Sequence, residues 1–188
     1  MNMFKRSVLA PLAVSGALMA VASPSAFAAD GVVNFMGSIT DVMCDINGKA
    51  PGEGNVTQVN LGTVDPAIFT AVGTASTFEN FDLVLSGPGC ANDKKASIAF
   101  DTSTNVDQAT GNLRLVGNSS ASGVQIQIYN NVGAGTKIPL DRVETSPQQA
   151  TIANNTATLR YKASYVSTAA TVTAGSGLSH IRYVVAYD

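Results

Sequence analysis

Cys44 and Cys90 are the two cysteines of this chain, and His180 is its one histidine. Thiols can pair as a disulfide, bind a metal or carry redox chemistry, and an imidazole can move a proton near neutral pH. Two cysteines cannot make a structural zinc site, which usually takes four ligands, and His180 does not change this. The lack of further histidines also excludes a copper–zinc sandwich enzyme. Asp101, Asp107 and Asp141 do not follow the spacing of a calcium loop. Gly133-Ala134-Gly135 is a turn and not a phosphate loop, because no Gly-Lys pair follows it at the required distance. No serine stands in a nucleophile motif with His180 and an acid. The sequence therefore holds no catalytic constellation: it reads as no enzyme, with no cofactor and no metal expected. His180 reads as a surface or partly packed residue.

The disulfide becomes the default once the start of the chain is considered. Lys5 and Arg6 form a positive region, Val8–Ala22 is apolar and rich in small residues, and Ala26-Phe27-Ala28 supplies a small-x-small cleavage pattern. Residues 1–28 read as a signal peptide. The alternative, a membrane anchor, would need about 20 apolar residues, and this run is shorter and broken by Pro11 and Gly16. Removing the leader leaves 160 residues (188 less 28), enough for one domain with a real core. Nine cationic side chains then face thirteen acidic ones, and no basic patch is visible, so nucleic acid is not expected as a partner. In an exported chain, an even cysteine count implies a Cys44–Cys90 bridge. By the chain-entropy model it would stabilise by roughly 4 kcal/mol, tying the first strand to one a long connection later.

Alternation predicts the elements that position these residues. Asn34–Ile46 reads as one extended strand with a change of face near Cys44. Further strands are expected at Thr57–Val64, Glu79–Leu85, Ala96–Phe100, Gly123–Tyr129, Ala157–Val166 and from about Ser179 to Tyr187. Turn clusters separate them at 47–54, 86–93, 102–111, 117–122, 130–135 and 173–177. Ala67–Ala75 could hold a helical turn, and no other helical period is present. Many short strands at this spacing imply an all-β sandwich or barrel.

Both ends of the mature chain carry distinctive strands. Val33, Phe35, Gly37 and Ile39 share one face of the first, which lies upstream of Cys44 and has no charged residue between Gly31 and Thr40. A glycine in such a run often marks close approach of another backbone. This strand needs a partner, and alternation leaves open whether it folds back on its own domain or pairs elsewhere. At the other end, Ile181, Tyr183, Val185 and Tyr187 form one face and His180, Arg182 and Val184 the other. Tyr187 is the penultimate residue, and Gly175 is fourteenth from the end. Alternation alone fits an ordinary terminal sandwich strand.

The ordered set of these features resembles the pilin subunits of bacterial chaperone–usher fimbriae, in particular the major subunits of the type 1-like class. The likeness runs through the N-terminal extension, Cys44, Gln58–Val64, Cys90, Ala96–Phe100, Gly123–Ile128, Leu159–Tyr165, Gly175 and Tyr187, which is essentially the whole mature chain. It implies an incomplete immunoglobulin-like sandwich completed by a donor strand from the neighbouring subunit. On this reading 29–43 is the donor-strand extension leading into the first strand, and 44–188 is the pilin domain. Val33, Phe35, Gly37 and Ile39 would be donated. Gly175, Ile181, Tyr183, Val185 and Tyr187 would mark the strand bordering the acceptor groove. The implied partners are a periplasmic pilus chaperone, an outer-membrane usher and other copies of the chain, in a polymer at the cell surface that supports adhesion and biofilm. Two other classes stay open: a minor tip adaptor or adhesin subunit binding a surface ligand, and a self-contained secreted sandwich with ligand-binding loops.

Overall fold

In the computed structural model, residues 43–188 are described. The leader and the face formed by Val33, Phe35, Gly37 and Ile39 lie outside the described residues. Among the described residues nine strands follow one another: β1 (Asp45–Ile46), β2 (Glu79–Ser86), β3 (Lys95–Phe100), β4 (Val106–Asp107), β5 (Asn112–Leu113), β6 (Val124–Asn130), β7 (Gln149–Thr151), β8 (Thr156–Ser167) and β9 (Tyr183–Tyr187). They form a six-stranded sheet in the order β1-β2-β8-β6-β5-β4 and a three-stranded sheet in the order β7-β3-β9. All pairings between these strands are antiparallel.

The long strands form where alternation is clearest. Phe81, Leu83 and Leu85 of β2 face the same side as Ala157, Leu159, Tyr161 and Ala163 of β8, with Phe81 opposite Tyr161 and Leu83 opposite Leu159. Ala96 and Ile98 of β3 close the core from the other sheet. Tyr161 joins the layers: its ring stacks on Phe81 at 5.5 Å and meets the edge of Phe100, from β3, at 5.7 Å. Such aromatic pairs contribute about 0.5–1.5 kcal/mol beyond their area. A two-residue turn at Asn154-Asn155, both with positive φ, connects β7 in one sheet to β8 in the other. This is the backbone that a type I′ turn requires and that asparagine tolerates well.

The structure corrects several expected elements. Thr57–Val64 forms no strand, although its side chains alternate in burial. The terminal strand starts at Tyr183, not near Ser179, because the preceding residues bond elsewhere. β4, β5 and β7 were not expected, being only two or three residues long. The helical turn is a short 3-10 helix, Pro66–Ile68, capped by the Asp65 side chain. Cys44 and Cys90 form a disulfide, but Cys90 lies in the loop between β2 and β3 rather than on a strand.

One carboxyl works against the fold. Glu144 is half-buried beside the sheet, and its Oε1 accepts from Asn130 Nδ2 at 3.1 Å. Burial raises its pKa above the ordinary 4.5, and the Asn130 bond offsets part of this. A raised carboxyl binds its proton more tightly in the folded state. Its favourable contribution is therefore complete below the unfolded pKa and is lost as pH rises through the folded one. Glu144→Gln keeps an oxygen acceptor and removes the charge. The variant is expected to melt higher than wild type at pH 7, with the difference shrinking toward zero below pH 4. Paired melting curves across that range measure it, and a constant difference would contradict the assignment.

Candidate functional site

Among the described residues, two stretches of backbone flanked by apolar side chains have an edge without a strand neighbour. From Val56 to Val64, no backbone–backbone hydrogen bond joins the chain to another described residue, and the Gly62 amide turns back to Asn60 Oδ1 at 2.9 Å. β9 pairs with β3 along one edge, and its other edge has no strand neighbour among the described residues. An unpaired edge is a template for a further strand.

Apolar side chains line both stretches. Val59, Leu61 and Val64 are half-buried, and Leu61 packs on the core. Ile181, Tyr183, Val185 and Tyr187 are also half-buried against the core, while Arg182 and Val184 point outward. A cavity of about 520 Å³ opens between Gln58–Val64 and the segment Val172–Ser179, with Phe69, Ile126 and Tyr165 among its lining. Of the expected groove residues, Gly175 lines this cavity. Tyr183, Val185 and Tyr187 lie on β9 and Ile181 just before it, all four outside the cavity.

Val172–Ser179 is held by a seam of hydroxyls that alternation could not reveal. Ser176 N donates to Ser120 Oγ at 2.9 Å, and Ser176 Oγ donates to the Asn118 carbonyl at 2.9 Å. Leu178 N donates to Ser119 Oγ at 2.9 Å, and the Tyr165 hydroxyl donates to the Gly177 carbonyl at 2.8 Å. Serines in turn clusters read as solvent-facing loop, so the only signal was their abundance on both sides of the seam. Gly175 sits where the seam is tightest: an added methyl would strike the Ala121 amide nitrogen and the Ser120 carbonyl carbon.

The tyrosines brace the same region. The Cys44 amide donates to the Tyr187 hydroxyl at 3.4 Å, and the Thr57 side chain meets the Tyr183 hydroxyl. Burial raises the pKa of Tyr165, Tyr183 and Tyr187, with the Thr57 and Cys44 partners partly opposing this at the latter two. All three phenols therefore stay neutral at physiological pH. Arg182 lies on the outer face in exposed pairs with Asp101 at 3.1 Å and Glu53 at 3.5 Å. His180 is exposed, with Nε2 3.0 Å from Asn105 Nδ2. No group of three metal-ligating side chains occurs among the described residues.

A two-sheet β-sandwich with a cleft of mixed polarity at its edge is consistent with an immunoglobulin-like pilin fold. The chain belongs to the fimbrial protein family, whose model, described as "Fimbrial protein", matches residues 33–188. It is 32% identical to the F17 fimbrial protein of Escherichia coli over 180 residues, covering 93% of this chain and 97% of that one. In fold it is similar to the P pilus rod subunit PapA, with a TM-score of 0.53 at 18% identity over 78% of this chain and all of that one. It is also similar to the CupB6 tip adhesin of Pseudomonas aeruginosa, with a TM-score of 0.50 at 22% identity over 66% of this chain and 35% of that one. The chain is thus a fimbrial subunit, a structural protein and not an enzyme, and its partners include further pilin subunits in a surface fimbrium.

The crowding at Gly175 can be tested directly. Gly175→Ala forces a methyl into backbone that is hydrogen-bonded on both sides, and overpacking of this kind costs about 1–3 kcal/mol. Gly54→Ala is the control, because nothing lies within 4 Å of its added methyl. The first variant is expected to melt several degrees lower than wild type and the second to be nearly unchanged. Equal melting temperatures would show that the seam yields freely.

Proposed function

We propose that the chain is a shaft subunit that polymerises by donor-strand exchange. Segment 29–43 of one copy, led by Val33, Phe35, Gly37 and Ile39, enters the cleft of the next beside Gln58–Val64 and pairs along the outer edge of β9. Before assembly, a periplasmic chaperone occupies the same cleft, and an outer-membrane usher exchanges it for the incoming extension. Residues 1–28 are the leader that sends the chain to that compartment.

The observation that supports this reading is the pair of backbone edges that have no strand partner among the described residues and flank apolar, half-buried side chains. Added strands use this chemistry: backbone hydrogen bonds supply affinity, and alternate side chains entering pockets supply specificity. Each large apolar side chain buried would contribute about 1.5–3 kcal/mol. The charge-free run from Gly31 to Thr40 is suited to such a cleft.

Two experiments test the two ends. A subunit lacking Ala29–Met36 is expected to fold and bind its chaperone but not to join a polymer as a donor. Ladders resistant to mild detergent, formed by this truncated chain as sole subunit, would refute the donor role. At the acceptor end, Tyr187→Ser removes a half-buried ring, whereas Arg182→Ser removes only exposed ion pairs, which are worth little. Immunoblots of periplasmic and surface fractions are expected to show loss of surface polymer for Tyr187→Ser and near-normal assembly for Arg182→Ser. Equal assembly of the two would refute the role given to β9.

A further inference from the structure

Three neighbouring strands of the larger sheet carry a patch on the face turned away from the core. Register places Asn80 of β2 and Tyr129 of β6 on either side of Lys162 of β8. Directly opposed residues share a face, and so do residues two apart along a strand, so Arg160 and Ser164 join Lys162 there. Phe78, just before β2, reaches the same face. It is 39% exposed, and its ring meets Tyr129 edge-on at 5.1 Å. The Lys162 ammonium stands over both rings, 4.7 Å from the centre of Phe78 and 6.0 Å from that of Tyr129. Gly135 leaves room for it: an added methyl there would lie 2.9 Å from Lys162 Nζ. On the Asn80 side, Asn131 Nδ2 donates to Asn80 Oδ1 at 3.0 Å. Both N–H groups of the Asn80 side chain and the Asn131 Oδ1 are left without a partner among the described residues.

The patch holds positive charge without a counter-charge. Lys162 and Arg160 make no ion pair with any described residue, and Asp82, opposite Arg160 in the register, pairs with neither. Ser164 is fully buried, and its hydroxyl is the one buried side-chain polar atom without a partner among the described residues. Ring surface, free amide ends and an unanswered cation thus converge on one face. We propose that this face binds a carboxylated sugar. The carboxylate meets Lys162, the amides of Asn80 and Asn131 bond hydroxyls of the sugar, and the C–H face of the pyranose packs on Phe78. A neutral sugar would leave the cation unanswered, and a bare carboxylate would leave the ring and the amides unused. A few convergent polar groups beside apolar surface are what fixes a small ligand's orientation. A single open site of this kind is weak, but a fimbria that repeats the chain links many of them, and linked sites gain avidity without any new contact. The patch uses no residue of the cleft or of β9, so it does not depend on the donor-strand reading.

The test uses purified fimbriae that contain the chain and two probes, methyl β-glucuronide and methyl β-glucoside, which differ only in a carboxylate against a hydroxymethyl group. Saturation-transfer NMR measures the contact of each sugar with the fimbria. Transfer to the glucuronide is expected to exceed transfer to the glucoside about three- to tenfold, the range of one partly exposed ion pair. Lys162→Gln is expected to bring the glucuronide down to the level of the glucoside, and Phe78→Ser to weaken transfer to both. Acetate at the concentration of the glucuronide is expected to leave the glucuronide bound. Equal transfer to the two sugars in wild type, or none to either, would overturn the proposal without any variant. A glucuronide preference that survives in Lys162→Gln, unchanged transfer in Phe78→Ser, or displacement of the glucuronide by equal acetate would overturn it as well.

Discussion

Backbone amides and carbonyls beside an apolar core must be paired, and this requirement governs the molecule more than any single side chain does. An unpaired buried group costs about 1–3 kcal/mol, comparable to burying a large apolar side chain. β8 meets the requirement on both edges, with β2 along its N-terminal part and β6 along its C-terminal part. β3 meets it between β7 and β9. Val56–Val64 and the outer edge of β9 have no strand partner among the described residues, and apolar side chains lie along both. The two sheets are unequal, six strands against three. The core made by the larger sheet therefore reaches the place where the smaller one stops at β9.

The disulfide matters more here than in a sandwich with both edges closed. Its closed loop stabilises by about 4 kcal/mol in the entropic model, set against a typical domain stability of about 5–15 kcal/mol. Its location is as important as its strength. Cys44 precedes β1, and Cys90 lies in the loop after β2, so the bridge clamps the start of the described body to the β2–β3 loop. Residues upstream of Cys44 are outside the covalent loop.

Alternation made β2, β3, β6 and β8 legible because each buries one face against the core and leaves the other outward. It misread Thr57–Val64 for a physical reason. Alternation reports the burial of side chains, not the pairing of backbone. Val59 and Leu61 are half-buried and Gln58 and Asn60 exposed, as in a strand, yet no ladder forms among the described residues. Ile181 continues the face of Tyr183, Val185 and Tyr187 in the same way, although ladder pairing begins only at Tyr183. The first misreading falls at the cleft and the second just before β9, and in both side-chain pattern and backbone pairing part company. β4, β5 and β7 are too short to carry a period. The serine seam was not legible because a serine fixing a neighbouring backbone has the same sequence signature as one facing water.

The choice of tyrosine, rather than phenylalanine, along the cleft has a physical reason. Gln58–Val64 and Val172–Ser179, the walls of the cleft, share no ladder among the described residues, so side chains must hold their positions. A phenol ring supplies contact area, and its hydroxyl can reach a backbone group beyond the ring. Tyr165 reaches the Gly177 carbonyl and so holds the segment before β9, while Tyr187 receives the Cys44 amide and so holds the start of the body. Burial raises the pKa of both phenols, which keeps them neutral and their hydrogen bonds intact across physiological pH. Phenylalanine at these positions would keep the apolar floor but leave a carbonyl and an amide without their partners. The tyrosines thus hold these segments through side chains where no ladder joins them among the described residues.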